Sequence, residues 1–479
     1  MENIITFISD YVTALIEVQN KFIENLQDFS GFEQKVVELT NHIAARFMGA
    51  ALTEADTLIR ESGLRKKHYT VQRKRHRTLI SCVGDITFEH TLYKDQEGHI
   101  RCLLDEQLRL PDRERFTAMA EARLLSEAEV HSYQHAADSI KVGDQAISRT
   151  TVMNKIHAIV ENIPCLEPVT DERKQLPYLY IEADEDHIHR QKDDENDGCF
   201  IGKLVYLFEG KEDICEGRRQ LINPHFFGGI YNGKSNAELW KQVEEYIRDH
   251  YDQETLKCVY ISGDGGKWIR SGTNHVYKSK FVADRFHLMK YIYRVSRYTL
   301  HDRDETVGQF YKYIYKNRLR EALELLAQIR DNYEESEGAV DECRTFMEKN
   351  WTAIHRAFCD KNVIGCSAEG HVSCIYSERL SSRPMGWSAT GGDRMCKLRC
   401  FVRNYGRDKI IDLVQYRRDQ QVQKLAATGT DGLIDQATKK KYKAEQRQNR
   451  AYIERIQATL GVSSTVRKAL AIREQIGNI

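Results

Sequence analysis

Two aspartates in this sequence stand where their carboxylates could be brought together. Asp184 closes a largely apolar run, Tyr178 to Asp184 (YLYIEAD), and Asp264 follows another, Leu256 to Ser262 (LKCVYIS), in a Gly-Asp-Gly-Gly turn. The glycines let the backbone bend sharply without steric cost. If both runs are strands and parallel neighbours, the aspartates share the carboxyl edge of a sheet, where open α/β folds place their sites. Paired carboxylates suit Mg²⁺ (or Mn²⁺), a hard ion that takes oxygen ligands and keeps waters. Two such ions, roughly 3.5 to 4 Å apart, stabilise the attacking and leaving oxygens of an in-line phosphoryl displacement. Glu182 and Asp186 lie on the same side of an extended strand as Asp184, and the residues alone do not choose among the three. Asp264 can equally be an ordinary Asp-Gly turn. His287, three residues after Asp284, shares a helix face with it and could bind a phosphate or orient a ligand; the competing reading is a buried core histidine.

The elements that must position these groups follow from the pattern around them. Tyr178 to Asp184, Phe200 to Phe208 and Phe226 to Tyr231 read as strands, Asn236 to Tyr251 as a helix with Leu239, Val243, Tyr246 and Ile247 on one face, Leu256 to Ser262 as a buried central strand, and Lys280 to Ala283 as one more. Three strands, a helix, then alternating strands and helices is the element order of an RNase H-like domain. The expected fold class is α/β, with this core over 171–300 and 360–400. An all-helical insertion over 301–359 interrupts it, since Phe310 to Ile329 and Cys343 to Phe358 both read as amphipathic helices.

Upstream, residues 1–79 read as a helical region ending in a basic run from Arg65 to Arg77 that includes Lys74 and Arg75. Such a run can neutralise phosphates or serve as a solvated linker. Residues 80–170 read as a small strand region, with alternation at Ile80, Cys82, Ile86 and Phe88, followed by a helix-turn-helix outline. There His131 to Ile140 is the first helix, Gly143 sits in the turn, and Ser148 caps a second helix on which Arg149, Thr150 and Asn154 could face a DNA groove. An ordinary helical bundle would give the same outline. Residues 401–479 read as a basic helical C-terminal region, with Lys439, Lys440, Lys441, Lys443, Arg447 and Arg450.

The whole-chain balance, 71 basic against 71 acidic residues in 479, predicts no polyanion partner by itself, so the clusters carry that argument. No stretch is long and apolar enough for a membrane span, and the N-terminus lacks a secretory signal, which places the chain in the cytoplasm. The twelve cysteines reproduce neither a zinc ribbon nor a secreted disulfide framework. Cys396 with Cys400, and His187 with His189, are weak metal-site pairs because tetrahedral zinc needs four convergent ligands.

The segments YIEADEDHIHRQ, ISGDGGKWIRSG, VADRFHLMKYI and CSAEGHVSCIYSERLSSRPMGWS resemble those of bacterial insertion-sequence transposases of the ISLre type, and more distantly those of Mutator-like transposases. The resemblance runs from about Ile80 to about Arg399. It implies a DDE-type enzyme in which Asp184 matches the first catalytic aspartate, Asp264 the second, and Glu369, in Ser-Ala-Glu-Gly, the glutamate. Asp284 and His287 match an Asp-x-x-His element. Glu378 is the rival third ligand, and Glu185 stands where many related enzymes have glycine. Just beyond, Arg379 and Arg383 suit bidentate phosphate contact, while Trp387 could stack on an unpaired base or sit in the core.

The implied function is Mg²⁺-dependent cleavage and strand transfer of an insertion sequence. The implied partners are double-stranded DNA carrying terminal inverted repeats and target DNA, acted on by a homodimer in the bacterial cytoplasm at the nucleoid. The alternatives are a structure-specific nuclease on the same fold and a catalytically inactive, transposase-derived DNA-binding protein.

Overall fold

The computed structural model describes residues 4–140, 145–169, 172–191, 198–216, 218–299, 302–425, 438–444 and 447. In chain order, helices α1 (Ile4–Glu24), α2 (Phe29–Glu61) and α3 (Gly63–His68) precede strands β1 (Thr70–Ser81), β2 (Gly84–Lys94) and β3 (Ile100–Arg101). Helices α4 (Leu103–Gln107), α5 (Ala118–Val130), α6 (Tyr133–Ser139) and α7 (Arg149–His157) follow, then β4 (Tyr178–His189), β5 (Cys199–Phe208), β6 (Gly210–Cys215), β7 (Arg218–Ile222) and β8 (His225–Ile230). Next come α8 (Asn236–His250), β9 (Cys258–Gly263), α9 (Lys267–Arg270), β10 (Ser279–Ala283) and α10 (Arg285–Ser296). The chain continues through α11 (Arg303–Tyr315), α12 (Leu319–Asn332), α13 (Glu337–Cys359), α14 (Ala368–Val372), α15 (Glu378–Leu380), α16 (Ala389–Tyr405) and α17 (Ile410–Leu425).

These elements form two compact units, one of Met1–Ala128, Ser132–Val152 and Ile411–Ile479, the other of Glu129–His131 and Met153–Ile410. In the first, β1, β2 and β3 make an antiparallel sheet. Ala45 and Ile59 of α2 close its core with Leu79, Ile86, Phe88, Tyr93, Leu103 and Leu104. The buried carboxylate of Asp56 accepts from the Thr91 amide (2.9 Å) and hydroxyl (2.6 Å), fastening α2 to β2. Buried Glu121 takes Arg417 at 2.6 Å and Arg418 at 2.7 Å, which binds α17 into this unit. The strand starts at Thr70, ten residues before the alternation becomes legible, because half of the basic run is itself strand: Arg73, Lys74, Arg75 and His76 are exposed along β1. Charge on such an edge also deters edge-to-edge pairing.

The second unit is mixed α/β around a five-stranded sheet ordered β10-β9-β4-β5-β8. Strands β4, β9 and β10 are parallel; β5 is antiparallel to β4 and to β8. β9 is buried along its whole length, as its unbroken apolar run requires of a central parallel strand. On one face Leu179, Ile181 and Ala183 of β4 pack with Leu239, Trp240, Val243 and Ile247 of α8. A second core joins Leu288, Ile292 and Val295 of α10 to the helices of 303–359 through Phe310, Leu326, Met347 and Ile354. The hairpin β6–β7 has no counterpart in the expectation: its residues are largely exposed and lack a clear apolar alternation. Among the described residues, no helix is long and apolar enough to cross a membrane.

Candidate active site

Register brings the acids together. β4 pairs with β9 at a constant offset, Tyr178 opposite Cys258 through Glu182 opposite Ser262. β9 pairs with β10 in the same way, Ser279 opposite Val259 through Ala283 opposite Gly263. Both offsets carry onward to Asp184, Asp264 and Asp284, so three aspartates stand side by side where three parallel strands, spaced about 4.8 Å apart, finish pairing. The Asp284 amide donates to the Gly263 carbonyl at 2.9 Å, extending the ladder by that one step. Asp184 does not end its strand as expected. β4 runs on to His189 because β5 keeps pairing with it as far as Cys199.

Each aspartate has a defined setting. Burial pushes the Asp184 carboxyl up to about 6, the charges of Asp264 and Glu185 push the same way, and the Glu185 amide (2.9 Å to Oδ1) and His287 oppose them. Asp264 Oδ1 accepts from the Gly266 amide at 2.8 Å, a turn made possible by Gly265 at φ +91°. Below it, a Cβ on Gly263 would lie 2.7 Å from the Ala183 carbonyl oxygen of the neighbouring strand, so only glycine allows this approach. Asp284 is buried and caps α10 by accepting from the Phe286 amide at 2.9 Å; burial raises its carboxyl too. His287 Nε2 lies 3.9 Å from Asp284 Oδ2. Among the described residues, no lysine or arginine pairs with Asp184 or Asp264.

Glu182, two residues before Asp184 on the same face, is treated differently. It is buried, ion-paired to Lys211 of the β6–β7 hairpin at 2.8 Å, and accepts from the Tyr206 hydroxyl and from the Ser367 amide (2.7 Å) and hydroxyl (3.0 Å). Ser367 immediately precedes α14, which carries Glu369 and packs on β4. Lys211 also donates to the Ser367 hydroxyl at 3.0 Å, and Tyr206 lies 3.0 Å from His371 Nδ1 on α14. This network pins the start of α14 to the strand of Asp184. Asp186, the other open choice, accepts from Ser381 at 2.8 Å. Glu185 points to the opposite face and accepts from the Trp268 indole at 2.7 Å, which accounts for its charge beside Asp184.

Glu369 itself is exposed on the first turn of α14. Among the described residues, the carboxylates of Asp184, Asp264 and Glu369 do not lie within 4.8 Å of one another as a set. Glu378 is exposed and lies 3.8 Å from Arg399, past a π-helical stretch at Ser373–Ser377. Arg379 corrects the expectation of a phosphate contact: it is 2% exposed, stacks 4.9 Å over Trp387 and donates to the Met385 sulfur, all inside the core. Trp387 is likewise core, its indole donating to the Leu380 carbonyl at 3.1 Å. Arg383 is half-buried and reaches the Val130 carbonyl at 3.4 Å.

Outside the sheet, Lys74 is exposed but paired to Glu89 at 2.5 Å, and Arg75 is exposed. Ser148 caps α7, and Arg149, Thr150 and Asn154 are exposed on it while Val152 and Ile156 are buried. The boundary between the units falls within α7, and the expected turn at Gly143 lies outside the described residues. Of the C-terminal basic residues, Lys439 to Lys443 are on helix and Arg450 lies outside the described residues. Cys396 and Cys400 are free buried thiols beside Tyr376, and His187 and His189 are exposed. Sequence reasoning did not single out Lys211 or Arg219, which with His371 and Arg403 line a cleft of about 900 Å³ beside α14.

The donor set fits a hard divalent ion: two adjacent oxygen ligands with no lysine or arginine partner among the described residues, one of them desolvated and repelled by the other. A UPF0236 protein of Caldanaerobacter subterraneus subsp. tengcongensis is 33% identical over 398 residues, covering 83% of this chain and 82% of its own length. Another from the same organism is 32% identical over 398 residues, covering 83% and 82%. The solved structure named Drosophila P element transposase strand transfer complex matches 76% of this chain and 92% of its own at 11% identity and a TM-score of 0.22, too low to carry an argument. Residues 22–415 match the uncharacterised protein family UPF0236, and the chain belongs to that family.

Proposed function

We propose that this protein is a DNA transposase that cuts and joins strands by metal-dependent phosphoryl transfer on an RNase H-like core. The observation that carries this reading is the register of Asp184 and Asp264 where adjacent parallel strands finish pairing, with no described lysine or arginine paired to either. The order of the sheet strands around them, β4, β5 and β8 with the β6–β7 hairpin inserted, then α8, then β9 and β10 each followed by a helix, agrees with it. Asp184 and Asp264 are the Mg²⁺ (or Mn²⁺) ligands, and Glu369 is the third. Glu369 is favoured over Glu378 because the Glu182 network tethers α14 to β4, whereas Glu378 lies beside Arg399.

When bound, the ion would polarise a phosphodiester and lower the pKa of its water, so that cleavage and the later attack by a 3′-hydroxyl need no strong protein base. Asp184 and Asp264 would fix its position. His287, electrostatically coupled to Asp184 and close to Asp284, would orient them or bind a phosphate oxygen. In the cleft beside α14, Arg403 offers positive charge to a DNA backbone, whereas Lys211 and Arg219 there already hold Glu182 and Asp213. Exposed Arg149, Thr150 and Asn154, with Lys74 and Arg75, would contact DNA bearing terminal repeats. Holding two ends together calls for two copies of the chain. One relative's name joins eleven designations within a single organism, which a mobile, multicopy sequence would produce.

The test is Mg²⁺-dependent nicking and joining of labelled DNA carrying the element's own ends, comparing the intact protein with Asp264→Ala. Joining lost in the variant supports the proposal. Cleavage indifferent to the end sequence would replace it with a nuclease, and specific binding without cleavage by the intact protein with an inactive DNA-binding descendant.

A further inference from the structure

The first unit contains a second cluster of ligand-type side chains, unrelated to the carboxylate site. His90 projects from β2, Cys102 caps the start of α4, and Asp105 lies one turn into that helix. His90 Nδ1 is 3.1 Å from Cys102 Sγ and 3.5 Å from Asp105 Oδ2, and the three groups offer ligand atoms within 4.8 Å of one another. His90 and Asp105 are 7% and 8% exposed. An isolated thiol or acid would mean little, but this group has a second feature. Asp105 Oδ1 is buried with no hydrogen-bond partner, while Oδ2 is held by the Arg77 guanidinium. A buried carboxylate oxygen left unpaired costs free energy that a ligand would recover.

We propose that His90 Nδ1, Cys102 Sγ and Asp105 Oδ1 bind a zinc-class divalent cation, with water at the fourth position. Thiolate, imidazole and carboxylate together suit zinc better than magnesium. The edges of a tetrahedron built on bonds of 2.0 to 2.3 Å are roughly 3.3 to 3.7 Å, and His90 Nδ1 and Cys102 Sγ already stand 3.1 Å apart. Arg77 keeps Oδ2, the outer partner that orients a ligating carboxylate, and it also donates to the Glu114 carbonyl at 2.7 Å. Binding releases the Cys102 thiol proton to solvent and leaves a thiolate on the metal; His90 binds as neutral imidazole with its proton on Nε2. The ion would join the sheet to α4 and fasten the strand pair that carries the basic residues of β1.

The test uses the full chain, stripped with chelator and titrated with Co²⁺ and Zn²⁺. We expect a thiolate-to-cobalt charge-transfer band with intense tetrahedral d–d absorption, displaced by about one equivalent of Zn²⁺. Cys102→Ser should lose the band, Arg77→Gln should weaken binding about 10- to 100-fold, and Asp264→Ala should keep the band, separating this site from the carboxylate pair. A wild-type chain that shows no thiolate band overturns the proposal without reference to any variant. So does an unchanged band in Cys102→Ser, and the cluster is then a metal-free ion-pair network.

Discussion

Glu182 and Asp184 are two residues apart on one strand and face the same way, yet their surroundings are opposite. Glu182 is buried with a lysine, a tyrosine hydroxyl and both donors of Ser367 around it. Asp184 is half-buried, receives its own neighbour's amide, and faces Asp264. The first arrangement satisfies a charge and so holds structure. The second leaves a charge unsatisfied where a substrate or ion can reach it, which is the physical mark of a site. Of the three acids equivalent by type and spacing, Glu182 and Asp186 are held by protein donors, Asp186 by the Ser381 hydroxyl at 2.8 Å, and Asp184 is left facing Asp264.

The largest expected effect tests the unsatisfied side. Asp264→Ala should lower strand joining by roughly 10³-fold or more, since ion coordination contributes several kcal/mol to the transition state, with an unchanged circular dichroism spectrum. Next, Lys211→Met should strand the Glu182 carboxylate and destabilise the fold by about 3 to 5 kcal/mol in denaturant titration. Adding Glu182→Gln to that variant should restore much of the loss. If it does not, Glu182 is not the structural partner described above.

Asp184→Asn in chelator should do the reverse and stabilise. A carboxyl raised to about 6 in the fold favours folding less as pH climbs above its unfolded value, so the wild type loses stability between about pH 4 and pH 6. The variant escapes that loss. Its advantage should reach about 1 to 2 kcal/mol at pH 8, after allowance for partial solvent exposure, and vanish near pH 3. Smallest of all, Arg75→Ala should weaken DNA binding uniformly across sequences and reduce the salt slope by about one, whereas Lys74→Ala should do less because Glu89 already engages that lysine.

Much of the sheet was legible because its strands are apolar runs bounded by turns, and the spacing of Asp184 and Asp264 turns out to be the register of β4 against β9. That spacing does not reveal that Glu182 is occupied. Its partners Lys211 and Ser367 come from a hairpin and a helix far along the chain, and neither position has a local pattern that points to a carboxylate. Arg379 was misread for the converse reason: an arginine near a proposed site suggests phosphate, but stacking on Trp387 inside a core is a use that type and position do not disclose. The start of β1 was obscured because exposed charges mask alternation on an edge strand.

The glycine at 263 has a mechanical meaning. A methyl group there would meet the Ala183 carbonyl at 2.7 Å, just before Asp184 and Asp264, where the two strands finish pairing with each other. The bare backbone is therefore a gauge block that sets how closely the two acids can stand. A side chain in its place would act as a wedge between the strands, changing the gap across which the acids share an ion without touching either acid.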